Sequence, residues 1–255
     1  MSEPHGGLVV TYHAIEEGDS PLCIEPSLFA EHVEALAASS AAVLTVSNLA
    51  RGARDGTLPE RAVAITFDDA FASVSRAAAP ILDRHGYPAT VFAVVDHLGG
   101  ANDWPTQPAH APRRPLLDAE ELRSLATGGW EVGSHGLSHT PLGKADAVAV
   151  GSELGDSRAR LAELTGGTVT SFAFPYGSVP VHAGRHLADA GYETGLGARL
   201  GRVDGRSDPH LLPRVDAHYL RRTSRLLDAV QGRTAYVRVR GVAARVRRTV
   251  RADYR

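Results

Sequence analysis

Ala62-Val63-Ala64-Ile65-Thr66-Phe67-Asp68-Asp69 is an apolar run that stops at two adjacent carboxylates. Such a run reads as a buried strand, the kind found in a parallel sheet covered by helices. A second stretch has the same build: Trp130-Glu131-Val132-Gly133 leads into Ser134-His135-Gly136-Leu137-Ser138-His139. Two strand ends thus supply two carboxylates and two histidines four residues apart. An open catalytic zinc site takes three nitrogen or oxygen ligands and a water. Two histidines and one aspartate fill that set and leave the other aspartate free as a general base.

Outward from these stretches, strand-like runs alternate with helical patterns. Residues 8–12 read as a strand. Ser27 can cap a helix whose Phe29, Val33, Leu36 and Ala37 fall at helical spacing. Residues 63–67 are a strand followed by a helix over 70–83, and residues 88–95 are a strand rich in β-branched and aromatic side chains. Asp118-Ala119-Glu120-Glu121 is a capping-box pattern, opening a helix that Gly128-Gly129 stops. Strands over 130–133, 170–174 and 211–215 alternate with helices over 146–164 and 181–190. This order predicts an α/β fold, a parallel sheet closed into a barrel with helices outside. Such barrels carry their active sites at the C-terminal ends of the strands, where both motifs fall. Residues 96–115 form a long loop with four prolines, the length of a functional lid.

The chain has 255 residues, 43% of them apolar, enough to bury one large core. No run of eighteen apolar residues is present. The first seven residues lack a basic segment followed by an apolar one, and Cys23 is the single cysteine. Both features predict a cytoplasmic protein without disulfides. The net charge of −2 hides a split: residues 221–255 hold eleven Arg against Asp228 and Asp253, a net +9, so residues 1–220 carry −11. The expected organisation is a catalytic domain over 1–220 and a basic helical extension over 221–255. In the extension Val242, Ala243, Val246 and Val250 alternate with arginines. It can pack on the acidic domain or contact an anionic membrane surface, peripheral to the inner leaflet. Nucleic acid is not expected, because no aromatic platform accompanies the charge. Oligomeric state is not legible.

Over residues 7–216 the chain resembles the polysaccharide deacetylases, the NodB-homology group of carbohydrate esterase family 4. Thr66-Phe67-Asp68-Asp69 matches the family's first motif. His135 to His139 resembles its second, with Gly136 where Ser or Thr is common, and Phe172-Ala173-Phe174-Pro175-Tyr176-Gly177 resembles its third. The resemblance implies a distorted (β/α)7 barrel, a divalent metal that is often zinc, and removal of acetyl groups from N-acetylated sugars. It implies that Asp69, His135 and His139 hold the metal, that Asp68 is the base, and that the Tyr176 backbone N–H helps form an oxyanion hole. The ligand set suits cobalt and nickel as well as zinc.

The chain departs further from the family pattern. Ala173 stands where many members place an Arg that pairs with the base, and neither the later Asp-Trp motif nor the C-terminal Leu-x-His strand is found. Arg214, in Leu212-Pro213-Arg214, can return an Arg to Asp68. Val9-Val10-Thr11-Tyr12-His13 is an apolar strand ending in His at the front of the chain. The resemblance implies that the missing Leu-x-His strand supplies a general acid; first and last strands of a closed barrel are neighbours, so His13 is the expected general acid, with His210 as the alternative. Trp104 in the lid either stacks on a sugar ring or packs the lid. Two rivals remain open: a hydrolase of another C–N amide or of an O-acetyl ester at the same site, and a non-catalytic carbohydrate-binding module.

Overall fold

The computed structural model describes residues 6–107 and 111–233. In chain order it holds β1 (Leu8–Tyr12), β2 (Ala14–Ile15), β3 (Cys23–Ile24), α1 (Pro26–Ala38), β4 (Ala42–Leu44), α2 (Val46–Asp55), β5 (Ala62–Phe67), α3 (Ala79–Asp83) and β6 (Thr90–Ala93). These are followed by α4 (Ala119–Thr127), β7 (Glu131–Ser134), α5 (Ala147–Thr165), β8 (Ser171–Ala173), α6 (Ala183–Asp189), β9 (Thr194–Leu196), β10 (Val215–Asp216) and α7 (Thr223–Val230). The main sheet is parallel with order β10-β1-β5-β6-β7-β8-β9, and β4 pairs with the first half of β5. Leu196 of β9 forms a parallel bridge with Leu212, and the same segment runs on into β10 beside β1. Residues 212–216 therefore join the two edges of the sheet into a distorted seven-stranded barrel.

The strands read as continuous apolar runs because both faces are buried. On β1 and β5, Val9, Ala62 and Ala64 turn into the barrel, where they meet Phe92, Ala173, Leu196 and Leu212. Leu8, Val10, Val63 and Ile65 turn outward under the helices. Above the apolar interior, Thr66 Oγ1 donates to Thr11 Oγ1 at 3.0 Å, the first polar layer toward the C-terminal mouth. The opposite end is plugged by α2, whose Val46, Leu49 and Ala53 join the interior cluster. Its first turn is tied down by Ser47, whose backbone N–H and hydroxyl both donate to the Glu131 carboxylate.

Asp118 caps α4 in the expected capping box, and Asp146 caps α5. At α1 the cap position is Glu25 rather than Ser27: Pro26 needs no N–H partner at the first position, and the Glu25 carboxylate pairs with Arg221 instead. The helix expected over 70–83 starts only at Val74. Asp69 and Ala70 have φ of 67° and 56°, which no right-handed helix contains. A π turn then spans Val74–Ala78 and hands over to α3 around Pro80, whose missing N–H cannot complete a regular ladder. The last strand is shorter than expected, Val215–Asp216. Within the segment 221–233, α7 packs on α1 and buries Leu226, Ala229 and Val230. Residues 234–255, including the Val and Arg pattern of the extension, lie outside the described residues.

His32 of α1 is fully buried, and Tyr12 Oη lies 2.9 Å from its Nδ1. Burial, with the Asp216 charge adding, pushes the Tyr12 phenol far above its ordinary range, so Tyr12 is the donor and His32 is neutral. Burial pushes the His32 pKa down to about 4; the Leu220 backbone works against the shift and Arg221 works with it. The unfolded chain therefore takes up the proton first as pH falls. The stability this residue contributes is complete above about pH 6.5 and is lost toward pH 4. Urea titrations at pH 7.5 and 5 should show wild type losing roughly 2 kcal/mol more than His32→Gln. Equal losses in both proteins would show that His32 is not the titrating group.

Candidate metal centre

The barrel mouth gathers the ends of β1, β5, β7 and β8. Asp68 and Asp69 follow β5, both buried. The left-handed backbone at Asp69 and Ala70 turns the chain sharply here. Such conformations typically cost ~1–3 kcal/mol each and persist where the surroundings impose them. The surroundings are identifiable: the Asp68 N–H donates to the Tyr12 carbonyl, and Leu117 N–H and Ala72 N–H bond to the Ala70 and Pro115 carbonyls. His135 follows β7 and His139 closes the next turn, again with positive φ, 60°.

Asp69, His135 and His139 each offer one ligand atom, and these atoms all lie within 4.8 Å of one another. His135 Nε2 is 3.4 Å and His139 Nε2 is 3.1 Å from the same oxygen, Asp69 Oδ1. Despite this closeness, Asp69 Oδ1 is a buried oxygen without a hydrogen bond of good geometry. Three atoms that converge without bonding one another fit a common cation, and two imidazoles with one carboxylate are the donor set of an open divalent site. His135 is oriented from behind: its Nδ1 lies 2.7 Å from the Ala173 carbonyl. The protonation states also suit ligation. Burial lowers the His135 pKa to about 4, against the pull of Asp68 and Asp69. For Asp69, burial acts upward, but the charge of His139, with those of His13 and His135, holds it far below the usual carboxylate range.

Asp68 has a different neighbour. Arg214 Nη1 is 2.8 Å from Asp68 Oδ1, and Arg214 Nε donates to the Gly197 carbonyl at 2.7 Å. Burial raises the Asp68 carboxyl, but the charges of Arg214, His135 and His13 and the Arg214 hydrogen bond outweigh it and hold the group below its ordinary range. Ala173, where the family pattern often has an Arg, faces the barrel interior, so the guanidinium reaches the carboxylate from the last strand segment instead. His13 is half-buried at the end of β1. The register pairs Tyr12 with Phe67, which brings His13 and Asp68 out side by side. His210 lies elsewhere: its Nε2 is 3.2 Å from the Tyr192 carbonyl, just before β9 and hence at the opposite end of the sheet.

Tyr176 sits in the Pro175–Gly177 turn with φ 57° and is half exposed. Its ring meets His139 edge-on at 4.6 Å, and its hydroxyl lies 2.8 Å from Thr106 of the lid. Trp104, also in the lid, is buried and stacks on His139 at 4.0 Å. Its ring faces the ligand rather than solvent, so it packs the lid. The lid is pinned at its base by reciprocal bonds between Asn102 and Arg114.

Two polar residues near the site escaped the sequence reading. Glu153 and Ser157 lie on the buried side of α5 among Val150, Leu154 and Leu161. Their signal was a carboxylate and a hydroxyl one helical turn apart inside an apolar stripe.

The family described as Polysaccharide deacetylase matches residues 55–195, more than half of the chain. A poly-β-1,6-N-acetyl-D-glucosamine N-deacetylase of Staphylococcus aureus is 25% identical over 201 residues, covering 75% of this chain and 67% of that protein. Among solved structures, the Streptococcus pyogenes deacetylase PplD in complex with acetate superposes with a TM-score of 0.73 at 20% identity, covering 84% of this chain and 93% of that one. The structure of IcaB from Ammonifex degensii gives 0.72 at 21% identity, covering 90% and 97%. At these identities the two structures speak for the fold.

Proposed function

The chain belongs to the polysaccharide deacetylase family and is a metal-dependent deacetylase of N-acetylated sugars; we propose that Asp68, Arg214, His13 and Tyr176 carry its catalytic steps. The observation that carries this reading is the division of two adjacent carboxylates. Asp69 faces both imidazoles, while Asp68 is tied to Arg214. Asp69, His135 and His139 would hold a divalent metal, zinc in this reading, which would supply Lewis acidity and lower the pKa of a bound water from about 15.7 toward about 7. Asp68, kept ionised by Arg214, is the base that takes a proton from the water attacking the acetyl carbonyl. The Tyr176 backbone N–H donates to the developing oxyanion; one such donor is typically worth ~3–4 kcal/mol. His13 gives a proton to the leaving amine nitrogen, which would otherwise depart as a poor leaving group.

The relative from Staphylococcus aureus makes β-1,6-linked N-acetylglucosamine oligomers the first substrate to try. Acetate release should be followed on these, on β-1,4-linked oligomers, on an N-acetylated glycolipid and on an O-acetylated sugar, with and without added zinc. Metal-dependent release from an N-acetyl sugar is the expected result. Release from the O-acetyl ester alone would replace amide by ester hydrolysis. The reading extends to a cytoplasmic enzyme that meets an anionic membrane through residues 221–255, supported by their eleven arginines and the unpaired, buried Cys23. No helix among the described residues is long and apolar enough to cross a membrane.

A further inference from the structure

Glu153 is a carboxylate with only 8% of its surface exposed, on a helix that contributes no ligand to the centre. A buried carboxylate is costly unless its oxygens are fully used. Those of Glu153 are used on one object, the turn between the two histidine ligands. Oε2 accepts from the backbone N–H groups of Leu137 and Ser138, at 2.6 and 3.3 Å. Oε1 accepts from the Ser138 hydroxyl, which in turn lies 2.7 Å from Thr140 Oγ1. One turn along the helix, Ser157 Oγ lies 2.7 Å from Ser134 Oγ, and Ser134 Oγ accepts from the Gly136 N–H. The carbonyls of Gly136 and Leu137 are taken by the Val95 and Asp96 N–H groups on the other side.

Gly136 completes the arrangement. Its φ is +85°, and a Cβ there would lie 2.6 Å from Glu153 Oε2. The carboxylate occupies the space that a side chain at 136 would need. This accounts for a glycine at a position where the family commonly has Ser or Thr.

The geometry points to Glu153 as a positioning residue for the metal centre: by gathering the donors of residues 137 and 138 it sets the turn that brings His139 onto the point already faced by His135 and Asp69. His139 depends on such a brace. Its Nδ1 has no hydrogen-bond partner, whereas His135 is oriented by the Ala173 carbonyl. The inference rests on the three-ligand metal site and not on the roles assigned to Asp68, His13, Arg214 or Tyr176.

The test is zinc affinity measured by chelator competition on the full chain, beside the melting temperature of the metal-free protein. Glu153→Ala should weaken zinc binding by about 10–100-fold, the usual effect of losing a group that orients a ligand. Glu153→Gln, which keeps an acceptor oxygen toward the turn, should recover most of that loss. Leu154→Ala serves as control: it destabilises the same helix without touching the turn and should leave zinc affinity unchanged. Unchanged affinity in Glu153→Ala, or an equal loss in Leu154→Ala, would overturn the assignment. Should Glu153→Ala not fold, Gly136→Ala drives a methyl against the same carboxylate, and full zinc affinity in that variant would count against the brace. A wild-type chain that binds no divalent metal would be a different failure, that of the centre itself.

Discussion

Asp68→Asn is expected to retain the metal and lose turnover by about 10²–10⁴-fold, whereas Asp69→Ala and His135→Ala lose metal and activity together. The two acids are adjacent in sequence, yet their environments differ in kind. Asp69 Oδ1 is approached by two imidazole nitrogens and lacks a hydrogen bond of its own, so its removal takes away one of three ligands. Asp68 is paired with Arg214 at 2.8 Å and lies 4.0 Å from His135 Nε2, beside the cluster rather than in it. An asparagine at 68 can still accept from Arg214 through its amide oxygen, so the local structure should survive, but it cannot take a proton from water. Metal content by elemental analysis, read beside acetate release, separates the two roles. If Asp68→Asn emptied the site as readily as Asp69→Ala, the division of labour between the carboxylates would be wrong.

What the sequence revealed of this site, and what it concealed, follows from the range of the interactions. The strands ending in Asp68 and Ser134 were legible because burial on both faces leaves unbroken apolar runs, and a sharp change to carboxylate or imidazole marks where each run reaches the mouth. The capping box at Asp118 was legible because its partners are three residues apart. The turn at Asp69 and Ala70 was not: its left-handed backbone is imposed by the Leu117 N–H, which donates to the Ala70 carbonyl, and by the Tyr12 carbonyl, which accepts from Asp68, both distant in sequence. The plug helix α2 was also missed, since only Val46, Leu49 and Ala53 form its apolar stripe and the rest of the segment reads as polar loop. In the sequence Glu153 is one more charge on a helix; only the fold sets it beneath the turn that carries His139.

His13→Ala is expected to lower turnover on an N-acetyl sugar by about 10²–10⁴-fold while leaving metal affinity unchanged. β1 lies between β10 and β5, so the first strand of the chain sits next to the segment that closes the barrel. Its pairing with β5 matches Tyr12 to Phe67, and the next residue of each strand, His13 and Asp68, emerges at the mouth together. The charge of His13 bears on both Asp68 and Asp69, which places it within the electrostatic reach of the centre without making it one of the three ligands. His210 cannot substitute, since it sits against Tyr192 at the other end of the sheet. A donor of this kind matters only when the leaving group needs a proton. An amine does; an activated phenolate does not. The variant should therefore lose most of its activity on the sugar amide and keep most of it on an aryl acetate ester, with zinc bound in both assays. Equal losses on amide and aryl ester would mean that His13 shapes or charges the site without delivering the proton, and His13→Ala with wild-type turnover on the amide would remove it from the mechanism altogether.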